Sequence, residues 1–266
     1  MSKEAPYRDD LLPTYVDFCF KGIFSDKPIL INFLNNTLLN WPFAPIRDLE
    51  FANVELSKDA SYDKGSRLDL RVTTQDGEIL DVEVQIASLR GHVERSLYYW
   101  AKLYEMQIKE GDPYHRLKPV ICVNILVENN TDLIDSSPYH SYSVRSDCAP
   151  HDRLSNRLGL HFIELGKFKS EWEDYNEFNN WLMFLKNPEE VFMHANHNEY
   201  IESALKKLEV LSHDPKMRAE YEARQKNLRD YHWELSIAKE DGIAEGEARG
   251  EAKGEAKGKR EMIMAM

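Results

Sequence analysis

The segment Arg67–Ile86, RLDLRVTTQDGEILDVEVQI, organises the rest of the chain, because both of its halves alternate between apolar and polar side chains. The apolar positions are Leu68, Leu70 and Val72 in the first half and Leu80, Val82, Val84 and Ile86 in the second. Alternation with a period of two is typical of strands that bury one face. Between the halves, Gln75–Gly77 has the composition of a turn, with glycine supplying a left-handed backbone position. The segment therefore predicts a β-hairpin.

The register of this hairpin follows from the length of its loop. A three-residue loop places Asp69 opposite Glu83 and Arg71 opposite Asp81 on the two strands. A loop one residue shorter or longer would turn the two apolar sets toward opposite faces, so burial of one face fixes the register. Opposed side chains have Cβ atoms about 5 Å apart. Arg71 and Asp81 are therefore expected to form an ordinary stabilising pair.

The opposition of Asp69 and Glu83 is different, because it brings two like charges together. Directly opposed like charges are destabilising unless something positive lies between them. A hard divalent cation with oxygen ligands is the natural candidate. The alternative is a solvated sheet face with incidental acids, since carboxylate pairs have many ordinary uses. Spacing alone leaves both interpretations in place.

Length and composition predict one packed core with an appendage. The 266 residues exceed a typical single domain, and the 42% hydrophobic content is ample for a core. The clearest boundary, His213–Pro215, predicts a core domain at residues 9–214 and a charged tail at residues 215–266. No run approaches the ~18 apolar residues of a membrane span, so no membrane association is expected. Three scattered cysteines without metal-ligand spacing suit a reducing cytoplasm, each as a buried small side chain.

The net charge of −12 limits how the chain can bind nucleic acid. Residues 216–266 contain 11 basic and 11 acidic side chains, so the negative charge belongs to residues 1–215. Proteins that neutralise many phosphates are usually basic. This balance argues against tight, salt-resistant binding of DNA without a metal ion.

Hydrophobic periodicity predicts the elements around the hairpin. Helices are expected at Tyr15–Phe24 (with Thr14 as N-cap), Ile29–Leu39, Val93–Glu110, Trp172–Leu185, Glu189–Ala195 and Glu199–Leu211. Further strands are expected at Phe51–Leu56, Pro119–Val127, Tyr139–Arg145 and Leu160–Leu165. Up to residue 127 the order is helix, three strands, helix, strand. The aromatic side chains between Trp172 and Phe184 follow helical spacing, which favours core packing over base stacking.

The tail contains a four-residue glycine repeat, running from Gly242 to Gly258, with Glu-Ala-Arg or Glu-Ala-Lys between the glycines from Gly246 on. On a helix each glycine costs about 1 kcal/mol relative to alanine, so an isolated helix is marginal. Pairing with a second copy would let acidic columns face basic columns, which predicts a possible homodimer through the tail. A low-complexity linker is the alternative, and the core surface is a second possible dimer contact.

A series of short motifs in order resembles the recombination-promoting nuclease (Rpn), transposase-like branch of the PD-(D/E)XK nuclease superfamily. The motifs are DFCFKGIF (17–24), FLN (33–35), RLD (67–69), VEVQ (82–85), ERSLYY (94–99), QIKEGDPY (107–114) and LKPV (117–120). The resemblance covers roughly residues 9–165. It implies an α/β fold with an αβββαβ core, a mixed central sheet flanked by helices, C-terminal helices and a charged helical tail.

The resemblance implies metal-dependent cleavage of DNA phosphodiester bonds, linked to recombination or transposition. Asp69 takes the position of the metal-binding aspartate and Glu83 that of the second acidic ligand. The backbone carbonyl of Val84 completes the protein ligands, and Asp17 matches an acidic residue that binds metal through water. So sparse a site suits Mg²⁺, which keeps several waters, with Mn²⁺ or Ca²⁺ as alternatives.

Gln85 departs from the broader superfamily, where lysine usually stands at this position. Glutamine can hydrogen-bond a water or a phosphate oxygen, but it carries no charge for the transition state. Lys21 or Lys64 can supply that charge from the side, although a solvated lysine is the more ordinary interpretation for each. Gln85 is therefore retained with Asp69 and Glu83 in the predicted catalytic set.

Arg95 and Tyr99, one helical turn apart, match the Arg-x-x-x-Tyr of this branch. Arg95 can bind a phosphate with two parallel hydrogen bonds. The alternative is a structural pair of Arg95 with Glu83 or Asp69.

Two classes of function follow. The first is an active DNA endonuclease with these residues in its site. The second is a catalytically weak or inactive nuclease-fold module that binds or regulates DNA or protein. The retention of Asp69 and Glu83 favours the first.

Overall fold

The chain is described by a computed structural model, which places residues 11–39, 41–52, 69–86, 91–129, 133, 135–169, 176–191 and 198–264. At Asp69 and at several positions near the C-terminus, only the backbone is described. The strands are β1 (Leu49–Phe51), β2 (Asp69–Thr74), β3 (Ile79–Gln85), β4 (Val120–Leu126), β5 (Tyr139–Tyr142) and β6 (Leu158–Glu164). The helices are α1 (Asp17–Phe24), α2 (Lys27–Thr37), α3 (His92–Glu105), α4 (Glu177–Lys186), α5 (Pro188–Val191), α6 (Glu199–His213) and α7 (Pro215–Met264).

The predicted hairpin is confirmed as β2 and β3. Thr74 donates its N–H to the carbonyl of Glu78 (2.9 Å), which closes a three-residue loop. Gly77 has a φ of 89°, the left-handed conformation expected of the loop glycine. The strands pair as predicted, with Asp69 opposite Glu83 and Arg71 opposite Asp81.

The six strands form one mixed sheet in the order β1-β2-β3-β4-β6-β5. The pairs β1/β2, β2/β3 and β5/β6 are antiparallel, whereas β3/β4 and β4/β6 are parallel. The helix α3 lies in the connection from β3 to its parallel neighbour β4, as parallel pairs require. The predicted fold class, a mixed α/β sheet flanked by helices with a helical tail, is confirmed.

An aromatic cluster between α1, α2 and α4 builds one half of the core. Phe24 lies 4.9 Å from Phe33 and 5.9 Å from Trp181, measured between ring centroids, and all three side chains are fully buried. Trp181 and Phe184 also contact each other edge to face. Core packing of the α4 aromatics is therefore confirmed. Trp172 and Tyr175 lie outside the described residues.

The other half of the core lies under α3. Leu103 packs with Val120, Cys122, Leu126 and other buried residues of β4 and β6. The indole N–H of Trp100 donates to the carbonyl of Val120 at 3.0 Å, which anchors the middle of α3 to β4. The sheet is thus covered on both faces.

Several predicted boundaries are wrong for physical reasons that the structure supplies. Thr14 is not the N-cap of α1, because its hydroxyl donates to the carbonyl of Leu185 in α4, and α1 begins at Asp17. Helix α3 ends at Glu105 rather than Glu110. The side chain of Gln107 instead bonds both the N–H and the carbonyl of Lys118, which draws the chain toward β4.

The remaining differences concern strand β1 and the cysteines. The strand predicted at Phe51–Leu56 instead covers Leu49–Phe51, Ala52 lies beyond its end, and residues 53–56 lie outside the described residues. Cys19 and Cys122 are buried as expected, whereas Cys148 is exposed. Cys148 lies in the segment between β5 and β6, where the chain runs over the surface.

Residues Met1–Asp214 and Pro215–Met266 form two separate compact units. The second contains one continuous helix, α7, which favours the helical interpretation of the tail over an irregular linker. Arg224 and Glu220, four residues apart on this helix, form an ion pair with 2.6 Å between Arg224 Nη2 and Glu220 Oε1. Large apolar side chains of α7 are exposed, including Trp233 at 69%. Among the described helices, none combines the length and the hydropathy needed to cross a lipid bilayer.

Candidate active site

The Asp69/Glu83 pair lies at a position of the hairpin where the two residues do not exchange backbone hydrogen bonds. The hydrogen bond from Thr74 to Glu78 marks a bonded pair, and bonded and non-bonded pairs alternate along an antiparallel ladder. Asp69/Glu83 is therefore a non-bonded pair, the kind whose side chains are nearer to each other. This backbone geometry brings the two predicted acidic ligands together.

The same alternation orients the carbonyl of Val84. Ile79 donates its N–H to Pro119, and Gln85 accepts from Val127, so the odd-numbered residues of β3 direct their backbone groups toward β4. The carbonyl of Val84 therefore faces β2, next to the strand end that starts at Asp69. Its side chain is buried on the apolar face of the sheet.

The polar face of β3 is buried. Asp81, Glu83 and Gln85 are 6%, 6% and 8% exposed. Strand β3 lies between β2 and β4, and α3 packs over this face of the sheet. On β3 this face is therefore buried, and not solvated as the alternative expected. Burying carboxylates is costly unless they are paired and hydrogen-bonded, so the partners of Glu83 matter.

Two donors reach Glu83, and both bind the same oxygen. Gln85 Nε2 and Arg95 Nη2 each lie 2.9 Å from Glu83 Oε1. Glu83 Oε2 receives no hydrogen bond within the described part of the chain. Gln85 Oε1 is also buried and has no donor among the described residues. Two oxygen acceptors are thus left for a ligand that prefers oxygen, as a hard cation does.

Arg95 makes the structural pair with Glu83 that was the alternative to binding a phosphate. Its guanidinium forms an ion pair with Glu83 and lies 5.4 Å from the centroid of the Tyr99 ring, within cation–π range. The helical spacing of α3 places Arg95 and Tyr99 on one face. The structure therefore brings Glu83, Gln85, Arg95 and Tyr99 together.

Two further predicted residues lie on α1. Asp17 and Lys21 form an ion pair with each other, with 2.9 Å between Oδ1 and Nζ. The side chain of Asp69 and the whole of Lys64 lie outside the described residues. Across the residues that are described, no group of three His, Cys, Asp or Glu side chains is arranged to hold a metal ion.

The pair predicted between Arg71 and Asp81 is confirmed, with 3.5 Å between Arg71 Nε and Asp81 Oδ1. The pKa of the neighbouring Cys122 thiol depends on these charged groups. Burial, followed by the carboxylates of Asp81 and Glu83, raises the pKa of the Cys122 thiol, and Arg71 acts in the opposite direction. Both acids therefore contribute negative potential within the sheet.

Sequence reasoning missed Asn124, the register partner of Glu83 on β4. Its amide oxygen accepts from the Ser96 hydroxyl at 2.7 Å, and its nitrogen donates to the carbonyl of His161 at 3.2 Å. These bonds tie α3 to the sheet next to the site. The available signal was a lone amide within the apolar run PVICVNILV (119–127).

The family model of PD-(D/E)XK nuclease family transposases matches residues 14–238. The chain belongs to this family. No curated protein and no solved structure matches it. The match takes in α1, the whole sheet and the start of α7, and it ends before Gly242, the first glycine of the tail repeat.

Membership of this family indicates the general chemistry of the site. The family implies a nuclease-type function with DNA as the substrate, and PD-(D/E)XK nucleases generally use divalent metal ions. In this PD-(D/E)XK protein, the two oxygen acceptors at Glu83 and Gln85 fit such an ion, because they are oxygens without a donor among the described residues.

Proposed function

We propose that this protein is a divalent-metal-dependent DNA endonuclease that hydrolyses phosphodiester bonds. The observation that carries the proposal is the pairing of Asp69 with Glu83 at a non-bonded position of the hairpin. An acid opposite an acid on a buried sheet face is unfavourable by itself. A bound cation removes that cost and supplies the chemistry that the family requires.

Asp69, the Oε2 oxygen of Glu83 and the carbonyl of Val84 would hold the ion, with Asp17 acting through water. Mg²⁺ is the preferred ion, and Mn²⁺ or Ca²⁺ are alternatives, because so few protein ligands leave room for water and phosphate. When bound, the ion polarises a phosphoryl oxygen and lowers the pKa of a bound water.

Gln85 acts in this proposal through its two ends. Its nitrogen holds Glu83 in place, and its oxygen would accept a hydrogen bond from a water bound to the ion, such as the attacking water. Positive charge for the transition state comes from Arg95, with Lys21 and Lys64 as further candidates for substrate binding. Arg95 combines contact with Glu83 and the guanidinium geometry that suits phosphate.

Arg95 and Tyr99 together would bind the phosphate backbone of the DNA next to the cleaved bond. The Tyr99 ring lies within cation–π range of the guanidinium, whose several N–H donors match the oxygens of a phosphate. Since the protein is acidic overall, binding of DNA would depend on these few residues and on the metal.

The test is conversion of supercoiled plasmid by the purified full-length protein with Mg²⁺, Mn²⁺ or Ca²⁺ and with chelator. We expect nicked and linear products with Mg²⁺ or Mn²⁺ and none with chelator. Products that form equally in chelator would contradict the proposal, as would an intact plasmid under every metal condition.

A second candidate is a catalytically weak or inactive module that binds DNA or protein. The contact between Arg95 and Glu83 favours it, because a guanidinium already neutralises a carboxylate at the proposed site. Retention of plasmid in a mobility-shift assay, without cleavage under any metal condition, would identify this function.

The biological setting is also a proposal. A role in recombination or transposition follows the resemblance to the Rpn branch, and the free cysteines suit a cytoplasmic location. A homodimer through α7 or the core surface would allow two single-site chains to cut both strands of a duplex.

A further inference from the structure

A polar cavity lies on the face of the sheet opposite Glu83. It has a volume of about 170 Å³ and is bordered by β5, β6 and the segment after α2. His161 in its lining pairs with Val123, the neighbour of Asn124, so the alternation of β4 places it on the other face from Glu83. The described residues of the lining include Arg145 and Arg153 and no carboxylate.

The two arginines oppose each other. Arg145 and Arg153 are partners in an isolated antiparallel bridge. Arg145 donates to Ser143 Oγ and to the carbonyl of Pro150, whereas Arg153 donates to Asn156 Oδ1. All these acceptors are neutral, and no ion pair joins either arginine to an acid among the described residues. Opposed like charges are destabilising, so this bridge favours an external anion.

His161 adds an acceptor to the same cavity. The Tyr139 hydroxyl donates its proton to the carbonyl of Leu39 at 3.0 Å, so at 2.7 Å its oxygen accepts from His161 Nδ1–H. Burial, and then the charge of Arg153, lowers the pKa of His161 to about 4. The imidazole is therefore neutral at pH 7, and Nε2 carries a lone pair.

Gly159 lies beside that nitrogen in the lining of the cavity. A Cβ added there would come within 2.7 Å of Ile121 Cδ1 and within 3.3 Å of His161 Nε2. Glycine therefore avoids a clash with Ile121 and leaves this side of Nε2 uncovered. A ligand that fits must combine anionic oxygens for the arginines with a hydroxyl or amino donor for His161.

We propose that this cavity binds a phosphate group, as free phosphate or as the end of a phosphate monoester whose remainder stays outside. The phosphate lies between Arg145 and Arg153, whose forked donors match its oxygens, and a P–OH donor binds His161 Nε2. The volume equals that of about six water molecules at about 30 Å³ each, which suits a phosphate group and is too small for a nucleoside.

Calorimetric titration of the full-length protein tests the proposal, with inorganic phosphate, deoxyadenosine 5′-monophosphate and deoxyadenosine as probes. We expect inorganic phosphate to bind, the monophosphate to bind through its phosphate group, and the uncharged nucleoside not to bind. Arg145→Gln and Arg153→Gln each weaken binding about tenfold or more, because each removes a charge-assisted hydrogen bond. Arg116→Gln, in the neighbouring cavity next to Lys118, is the matched control and leaves binding unchanged.

Absence of binding of both phosphate compounds at millimolar concentration would overturn the proposal. An equal loss in Arg116→Gln would do so too, because it would show a general charge effect. Binding of a 5′-phosphorylated oligonucleotide but not of the monophosphate would reject a free small molecule as the ligand. None of these measurements involves DNA cleavage, so their outcome is independent of the proposed nuclease function.

Discussion

Two neighbouring pairs of the hairpin share their geometry and differ in charge. Arg71/Asp81 and Asp69/Glu83 are both non-bonded pairs, and Asp81 and Glu83 are equally buried. In the first pair a cation faces an anion across the strands. In the second an acid faces an acid, and the cation that reaches Glu83 comes from α3, as Arg95.

The first pair is balanced within the hairpin and can serve folding alone. The second places two acids opposite each other, and among the described contacts Arg95 binds only Oε1 of Glu83, which leaves Oε2 for a bound cation. Loss of Asp81 should therefore act on stability, and loss of Asp69 or Glu83 on metal binding and cleavage.

The largest effect is expected at the acidic pair. Asp69→Asn and Glu83→Gln should each reduce plasmid cleavage at least about a hundredfold, the usual scale for removing a central electrostatic contributor. Initial rates of nicking at saturating Mg²⁺ measure this. Wild-type rates in either variant, with unchanged metal dependence, would remove these residues from the site.

The second effect concerns stability. Asp81→Asn leaves the half-buried Arg71 without the Asp81 carboxylate, and we expect a loss of about 2 kcal/mol in the free energy of unfolding. Urea denaturation followed by circular dichroism checks it. Cleavage per folded molecule should stay within about threefold of wild type. A hundredfold loss of cleavage in this variant would erase the distinction between the two pairs.

Arg95→Gln should have an intermediate effect. If Arg95 binds phosphate, cleavage should fall about tenfold, while the affinity for metal should not weaken, because the removed charge is positive. Cleavage rates and metal titration on the same preparation separate the two properties. Weaker metal binding in Arg95→Gln would instead assign Arg95 the role of positioning Glu83.

The smallest effect on single-strand nicking is expected from the tail. Removal of residues 242–266, outside the family match, should leave nicking within about twofold. Double-strand cutting should fall if the repeat supports self-association, since each chain carries one site. Sedimentation of both forms provides the check, and equal masses at micromolar concentration would exclude the repeat as the source of assembly.

The sequence was sufficient for the parts of the fold that depend on local pattern. Alternation and a three-residue loop fix the hairpin, and the Asp69/Glu83 register follows from them. The apolar run 119–127 predicts a strand covered on both faces, which β4 confirms. These features depend on periodicity and burial, which a single sequence displays.

Other features depend on contacts between distant segments. The Thr14 hydroxyl binds α4, and Gln107 binds Lys118, so neither boundary can be read from local propensity. The burial of the acidic face follows from the position of β3 within the sheet and from α3 above it. The contact of Arg95 with Glu83 likewise depends on how α3 packs on the sheet.

Titration of Mn²⁺ into the wild type, Asp69→Asn and Asp81→Asn, without DNA, tests whether the Asp69/Glu83 pair is a metal site. We predict binding of one ion by the wild type and by Asp81→Asn, and binding at least about tenfold weaker by Asp69→Asn. Equal affinity in Asp69→Asn and the wild type, or a loss confined to Asp81→Asn, would contradict the account.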